Sequence, residues 1–332
     1  MYLPADFVST VKNTFGEDGE KFLADLPLLI NEASTRWGLR NVQPVSNLSY
    51  NFVAYATSPS PLAPLPKGEG NVVLKIGVPR GELTSEIAAL RLFNGEGACR
   101  LIDCDEPKGF LLLERLKPGR MLAEVEDDEE ATRIAAEVMR RIWAPLENVT
   151  LSDSEGSLPK PQGLFGREER SLRVTNKFIL LSKWFDGLKR LRKMFDGKTG
   201  PLDAKLVERV ERSTKDFFAE NHQPVLMHGD FHHYNVLSSE RGWLAIDPKG
   251  VIGPACYEVG PLMLNPWGTL MDRVSPKLVK KRVDILHEFL GFERERILEW
   301  SLAHAVLSAW WGIEDNTGWE YSLAFAKMIA SL

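Results

Sequence analysis

Cysteine is scarce in this chain. Cys99, Cys104 and Cys256 are an odd number with no C-x-x-C pair, which excludes a disulfide framework and a thiolate zinc site. A basic excess is missing as well. Lys and Arg number 41 against 46 Asp and Glu, and the resulting net charge of −5 argues against a surface that tracks nucleic-acid phosphates. It suits a cationic small molecule slightly better. No long apolar run is present. The most apolar segment, "WSLAHAVLSAWWGI" at 300–313, is too short to span a bilayer and carries His304 and two serines, so it reads as a buried core helix. The N-terminus has neither a basic start nor an apolar h-region. No secretory signal and no membrane association are expected, and the cytoplasm is the expected compartment.

What is there is an ordinary globular composition, 44% hydrophobic and 26% charged, in a chain whose 332 residues favour two lobes over one small core. Residues 39–57 read as two short strands around the polar joint "SNLSYN". The proline- and glycine-rich stretch "SPSPLAPLPKGEG" (58–70) reads as a loop insertion. "NVVLKIGV" (71–78) is a β-branched strand that carries Lys75. The apolar spacing of Leu83, Ile87, Leu90 and Phe93 predicts a helix over 81–95. "GFLLLERLKPG" (109–119) is a buried strand running into a turn. Up to Gly119 the chain reads as strand-rich with a single good helix. Beyond it helices are expected at 127–143, 177–194, 202–220, 276–290 and 293–313, with Trp300, Trp310 and Trp311 in their core. The expected fold class is therefore α+β. A small strand-rich lobe spans 1–117, and a larger, mainly helical lobe spans 118–332.

The segment "VLMHGDFHHYNVLSSERGWLAIDPKG" (225–250) concentrates the chemistry. Asp230 and Asn235 are five apart, and Asp247 follows twelve later, with short strands on either side of a loop. Phosphoryl transfer uses such a set: one carboxylate takes the acceptor's proton, while an amide oxygen and a second carboxylate hold magnesium. It also needs a lysine for the nucleotide phosphates and a glutamate to hold that lysine. Lys75 and Glu86 supply the pair, with Glu82 as a competing partner one turn earlier. His228, His232 and His233 read as a zinc cluster only if further ligands join them, and none sits at suitable spacing.

These segments, with "WFDGLKRLR" and "LAHAVLSAWWGIED", resemble in order and spacing the aminoglycoside/hydroxyurea antibiotic resistance kinases of the protein-kinase-like superfamily, from about residue 40 to the end. The resemblance implies a two-lobed protein-kinase-like fold and ATP-dependent transfer, with Mg2+, to a hydroxyl of a small molecule, an aminoglycoside such as streptomycin first. It implies Asp230 as catalytic base, Asn235 and Asp247 as metal ligands, Lys75 on the phosphates and Glu86 as its partner. The backbone of Glu114 to Leu116 would receive adenine, and His228 would brace the 226–250 loop. The phosphate-covering turn "SNLSYNFV" has no glycine, so Ser46, Ser49 and Asn51 would supply its donors. Three other readings stay open: a metabolic kinase of a sugar or amino alcohol, a hydroxyurea phosphotransferase, and an inactive nucleotide-binding module. A protein kinase is disfavoured, since no D-F-G or A-P-E signature follows "DPKG".

Overall fold

The computed structural model describes residues 3–58, 70–145, 177–220, 223–266 and 275–332. Most of the proline-rich insertion at 58–70 lies outside the described residues.

The first lobe is built on five antiparallel strands: β1 (Arg40–Pro44), β2 (Phe52–Ser58), β3 (Gly70–Ile76), β4 (Leu101–Asp105) and β5 (Phe110–Glu114), in the order β1-β2-β3-β5-β4. Alternation along these strands sorts their side chains between two cores. Phe110 and Leu112 of β5, with Leu74 and Ile76 of β3, face a core shared with two N-terminal helices, α1 (Ala5–Phe15) and α2 (Glu17–Trp37). Leu111 and Leu113 face the opposite side, towards α3 (Glu82–Phe93). Lys75 is paired in register with Leu111, and the same alternation turns it to the α3 side.

The two N-terminal helices correct the reading of residues 1–119 as strand-rich with one helix. Their buried residues, Phe7 and Val11, then Phe22, Leu26, Ala33 and Trp37, form stripes at helical spacing. Pro27 sits inside α2, which obscures the second stripe.

Residues 115–117 lead out of the sheet. β6 (Pro118–Met121) pairs in a second sheet with β10 (Val236–Ser239), which also pairs with β11 (Gly242–Ala245). The larger lobe is mainly helical: α4 (Asp128–Ile142), α7 (Ala204–Ala219), α8 (Val259–Leu264), α9 (Pro276–Leu290), α10 (Arg294–Glu314) and α11 (Glu320–Ala330). Its third sheet contains β7 (Ala144–Pro145), β8 (Ile179–Leu180), β9 (Val225–Met227) and β12 (Val251–Gly253). The helix expected over 177–194 is instead strand β8 and two short helices, α5 (Leu181–Phe185) and α6 (Gly187–Met194). Gly187 lies against Trp310, and a Cβ there would stand 2.9 Å from the indole.

Helix α3 belongs to the small lobe by sequence, yet both its ends are tied to the large one. Ser85 Oγ donates to the Lys249 carbonyl at 2.6 Å near its start. Beyond its end, Ala245 N donates to Gly97 O and Cys99 N donates to Ala245 O, each at 2.8 Å. Arg241 also donates to Gly95 O at 2.8 Å.

Candidate active site

The loop after β9 is fixed from below. Glu258 is wholly buried, and its two carboxylate oxygens accept the backbone N–H groups of His228 and Gly229, each at 2.8 Å. Gly229 takes φ 88°, and a Cβ there would come within 2.4 Å of the Val251 side chain. His228 Nε2 lies 2.8 Å from the Ile246 carbonyl, and its Nδ1 accepts from Asp230 N at 3.2 Å. One ring nitrogen therefore donates while the other accepts, and burial holds this histidine neutral, with its pKa lowered to about 4. His228 thus braces the loop.

Asp230 emerges from this support into a cleft of about 800 Å³. Burial alone would raise its pKa, but His232, whose Nε2 is 3.6 Å away, and Lys249 hold it below the usual carboxylate range. The residue is ionised at neutral pH and suited to orienting a hydroxyl. Asn235 donates from Nδ2 to the Asp230 carbonyl at 3.0 Å and lies 3.3 Å from His232 Nε2. With its nitrogen so used, Oδ1 is the atom that can meet a cation.

Asp247 adopts φ 60°, a left-handed conformation uncommon outside glycine and concentrated at functional sites. Its carboxylate contacts Lys75 and lies 3.9 Å from Lys249. These cations overcome burial and hold Asp247 well below the ordinary range. Lys75 in turn lies 2.7 Å from both oxygens of Glu86, and both side chains are buried. Burial pushes the Glu86 carboxyl upward against the pull of Lys75. Glu82, the competing partner, instead approaches Lys249 at 3.4 Å.

The other expected site residues are spread more widely. Asn51 lines the cleft beside Gly77. Ser49 is exposed in the β1–β2 turn and does not line it. Glu114 and Leu116 lie behind the cleft: the Glu114 carboxylate pairs with Arg241, its N–H donates to Arg100 O, and Leu116 is buried. Several cleft residues were not anticipated, among them Lys249, Tyr50, Trp184 and Asp315. Lys249, two places after Asp247, carried a signal in its spacing. Trp300 and Trp310 are core residues, whereas Trp311 is partly exposed and lines the cleft.

Asp247, beside two lysines, offers the cleft carboxylate oxygens of the kind a hard cation accepts. Among the described residues no group of three or more His, Cys, Asp or Glu is placed to hold an ion.

Comparison with solved structures defines the class. Choline kinase LicA from Streptococcus pneumoniae aligns with a TM-score of 0.59 at 11% identity, covering 92% of this chain and 99% of that one. A thermostable mutant of aminoglycoside phosphotransferase APH(4)-Ia, in ternary complex with ADP and hygromycin B, aligns with a TM-score of 0.58 at 12% identity, covering 91% and 97%. The fold is the two-lobed protein-kinase-like fold.

The family model of the aminoglycoside/hydroxyurea antibiotic resistance kinases matches residues 48–160 and 164–316, and the chain belongs to that family. The chain is similar to streptomycin 6-kinase of Streptomyces glaucescens, at 29% identity over 318 residues, 95% of this chain and 92% of that protein. It is also similar to hydroxyurea phosphotransferase of Kitasatospora aureofaciens, at 31% identity over 316 residues, 95% and 81% respectively. Among the described residues no helix is long and apolar enough to cross a membrane.

Proposed function

We propose that this protein transfers the γ-phosphoryl group of ATP to a hydroxyl of an aminoglycoside such as streptomycin, in the cytoplasm. The observation that carries this reading is the meeting, in one cleft, of an ionised Asp230 with Asp247 and Lys249, with Asp247 also in contact with the buried Lys75. Residues 1–117 would form the nucleotide lobe, and residues 118–332 would carry the acceptor and the loop at 226–250. Lys75, held by Glu86, binds the α- and β-phosphates. Asn51, which lines the cleft, covers the phosphates.

Asp230 accepts a hydrogen bond from the acceptor hydroxyl and takes its proton as the oxygen bonds to the γ-phosphorus. The bond from that phosphorus to the bridging oxygen breaks, and ADP leaves. Asp247 and Asn235 Oδ1 would hold Mg2+, which supplies neutralisation of phosphate charge. Positioning and fixed charge do most of the catalytic work.

A neutral acceptor is the second reading, because one relative of comparable identity is a hydroxyurea phosphotransferase. The deciding experiment measures ADP release with Mg-ATP and, in turn, streptomycin, other aminoglycosides, hydroxyurea and choline. Turnover with hydroxyurea or choline and none with any aminoglycoside would reject the first reading and leave the kinase chemistry standing.

A further inference from the structure

One wall of the cleft is a single face of α10. His304, Ser308 and Trp311, together with Asp315 just past the helix end, are spaced 4, 3 and 4 residues apart, and all four line the cleft. At 1.5 Å per residue, the 11 steps from His304 to Asp315 span about 16 Å. The inner end lies by the Asp230 loop, since His304 meets Tyr257, the neighbour of the Glu258 that holds the Gly229 N–H.

His304 is 5% exposed, and its Nδ1 lies 3.0 Å from the Tyr257 hydroxyl. Tyr257 is wholly buried, and burial keeps its phenol protonated. Its single proton needs an acceptor, and Nδ1 is the ring atom within reach. Nε2 therefore carries the imidazole proton. Among the described residues nothing accepts from it, which leaves an N–H donor on the cleft wall for a ligand. Gly260 permits this placement, because a Cβ there would stand 2.5 Å from the His304 Cβ.

The outer end has different chemistry. Trp184 and Trp311 meet edge to face, with centroids 5.4 Å apart and planes at 88°, and form an aromatic corner. Next to it Asp315 pairs with no basic side chain among the described residues; partial burial and the neighbouring Glu314 raise its pKa, and no cation lowers it. Glu314 itself is taken by Arg190 at 2.6 Å. The negative end of the α10 dipole adds to the field at this point. Tyr50, from the turn of the small lobe, lines the same cleft, and burial and then the Asp315 charge raise its pKa.

We infer that this face of α10 is the acceptor subsite, and that it selects a polyhydroxylated molecule with a guanidinium or ammonium group at its far end. The inference rests on the phosphotransferase reading above and deepens it. His304 Nε2–H donates to an oxygen near the reacting hydroxyl. The tryptophan corner stacks on a ring or a cation, and Asp315 pairs with the distal charge.

The test uses the full chain and streptomycin. Asp315→Asn should raise KM for streptomycin roughly tenfold or more, the loss of one charge-assisted hydrogen bond, without moving KM for ATP. Asp315→Glu should restore most of the loss. His304→Phe should lower kcat more than it raises KM, and His304→Gln, which keeps a donor, should recover part of it. An unchanged streptomycin KM in Asp315→Asn would overturn the subsite while leaving the activity intact. If the wild type transfers no phosphate to streptomycin, calorimetric binding of streptomycin decides instead. Binding by the wild type that is lost in Asp315→Asn upholds the subsite even then. Absent binding, or binding that Asp315→Asn leaves unchanged, rejects it.

Discussion

Glu86→Gln puts the buried charge cluster under direct test. Lys75 lies 2.7 Å from both Glu86 oxygens, and the two side chains are 6% and 5% exposed. Removing one partner of a buried pair costs about 3–5 kcal/mol, because the other charge is left stranded. Here Asp247 remains beside Lys75 as a counter-ion, so roughly 2–3 kcal/mol is the expected loss. At about 2–4 °C per kcal/mol for a domain of this order, Tm should fall by roughly 4–12 °C.

Freed from Glu86, the Lys75 ammonium would settle on Asp247. Turnover should then drop by roughly a hundredfold through misplacement alone. Adding Lys75→Met separates the two effects. In the double variant no ammonium is stranded, so its stability loss should be less than the sum of the single losses by at least about 1 kcal/mol. Its activity should stay low. Urea denaturation of the four proteins, with ADP release measured in parallel, gives both quantities. Additive stability losses, or wild-type turnover in Glu86→Gln, would refute the reasoning.

Asp230→Asn should lower kcat by roughly two to three decades with little change in Mg-ATP affinity, since Asp230 faces the acceptor. Asp247→Ala should abolish magnesium-dependent nucleotide binding as well; equal calorimetric affinities in the two variants would contradict that division. Stability should also fall on mild acidification. Burial lowers His228 and His304 to about 4 and drives His233 well below 6.5, the value their unfolded forms keep. Below pH 6.5 the unfolded chain therefore binds protons that the native one excludes, and each histidine withdraws roughly 2 kcal/mol by pH 5. Glu86 and Glu258, which burial raises to about 7 and about 8, take up protons in the native state and offset that loss in part. Urea midpoints at pH 7 and pH 5 check the sign, and a higher midpoint at pH 5 would contradict it.

The inner part of the site was legible because its residues are local. Asp230, Asn235 and Asp247 fall within eighteen residues of one another, on a loop bounded by strands. Lys75 and Glu86 are separated by one strand end and one helix turn, so two simple periodicities turn them together. The outer cleft was not legible, because Tyr50, Trp184 and the His304–Asp315 face of α10 come from three elements far apart in the chain. The tryptophans show the limit well. Trp310 and Trp311 are adjacent on one helix, and tertiary packing alone decides that one is core and the other a cleft wall. The N-terminal helices were legible in principle through Phe22, Leu26, Ala33 and Trp37, but Pro27 masks their regularity. The break in the 177–194 helix falls where Gly187 approaches Trp310, a contact that sequence spacing does not carry.

The tethering of α3 at both ends bears on regulation. In kinases that are switched on and off, the glutamate helix swings outward and separates its carboxylate from the lysine. Here Ser85 is bonded to the Lys249 carbonyl, a Cβ at Gly250 would stand 2.6 Å from Ser85 O, and the chain after α3 is laddered to Ala245. A swing of that helix would break all of these contacts together. An enzyme so built should hold its lysine–glutamate pair together before substrate arrives. Progress curves started from the protein alone should therefore be linear from the first turnovers, and a lag abolished by preincubation would show that the helix does move.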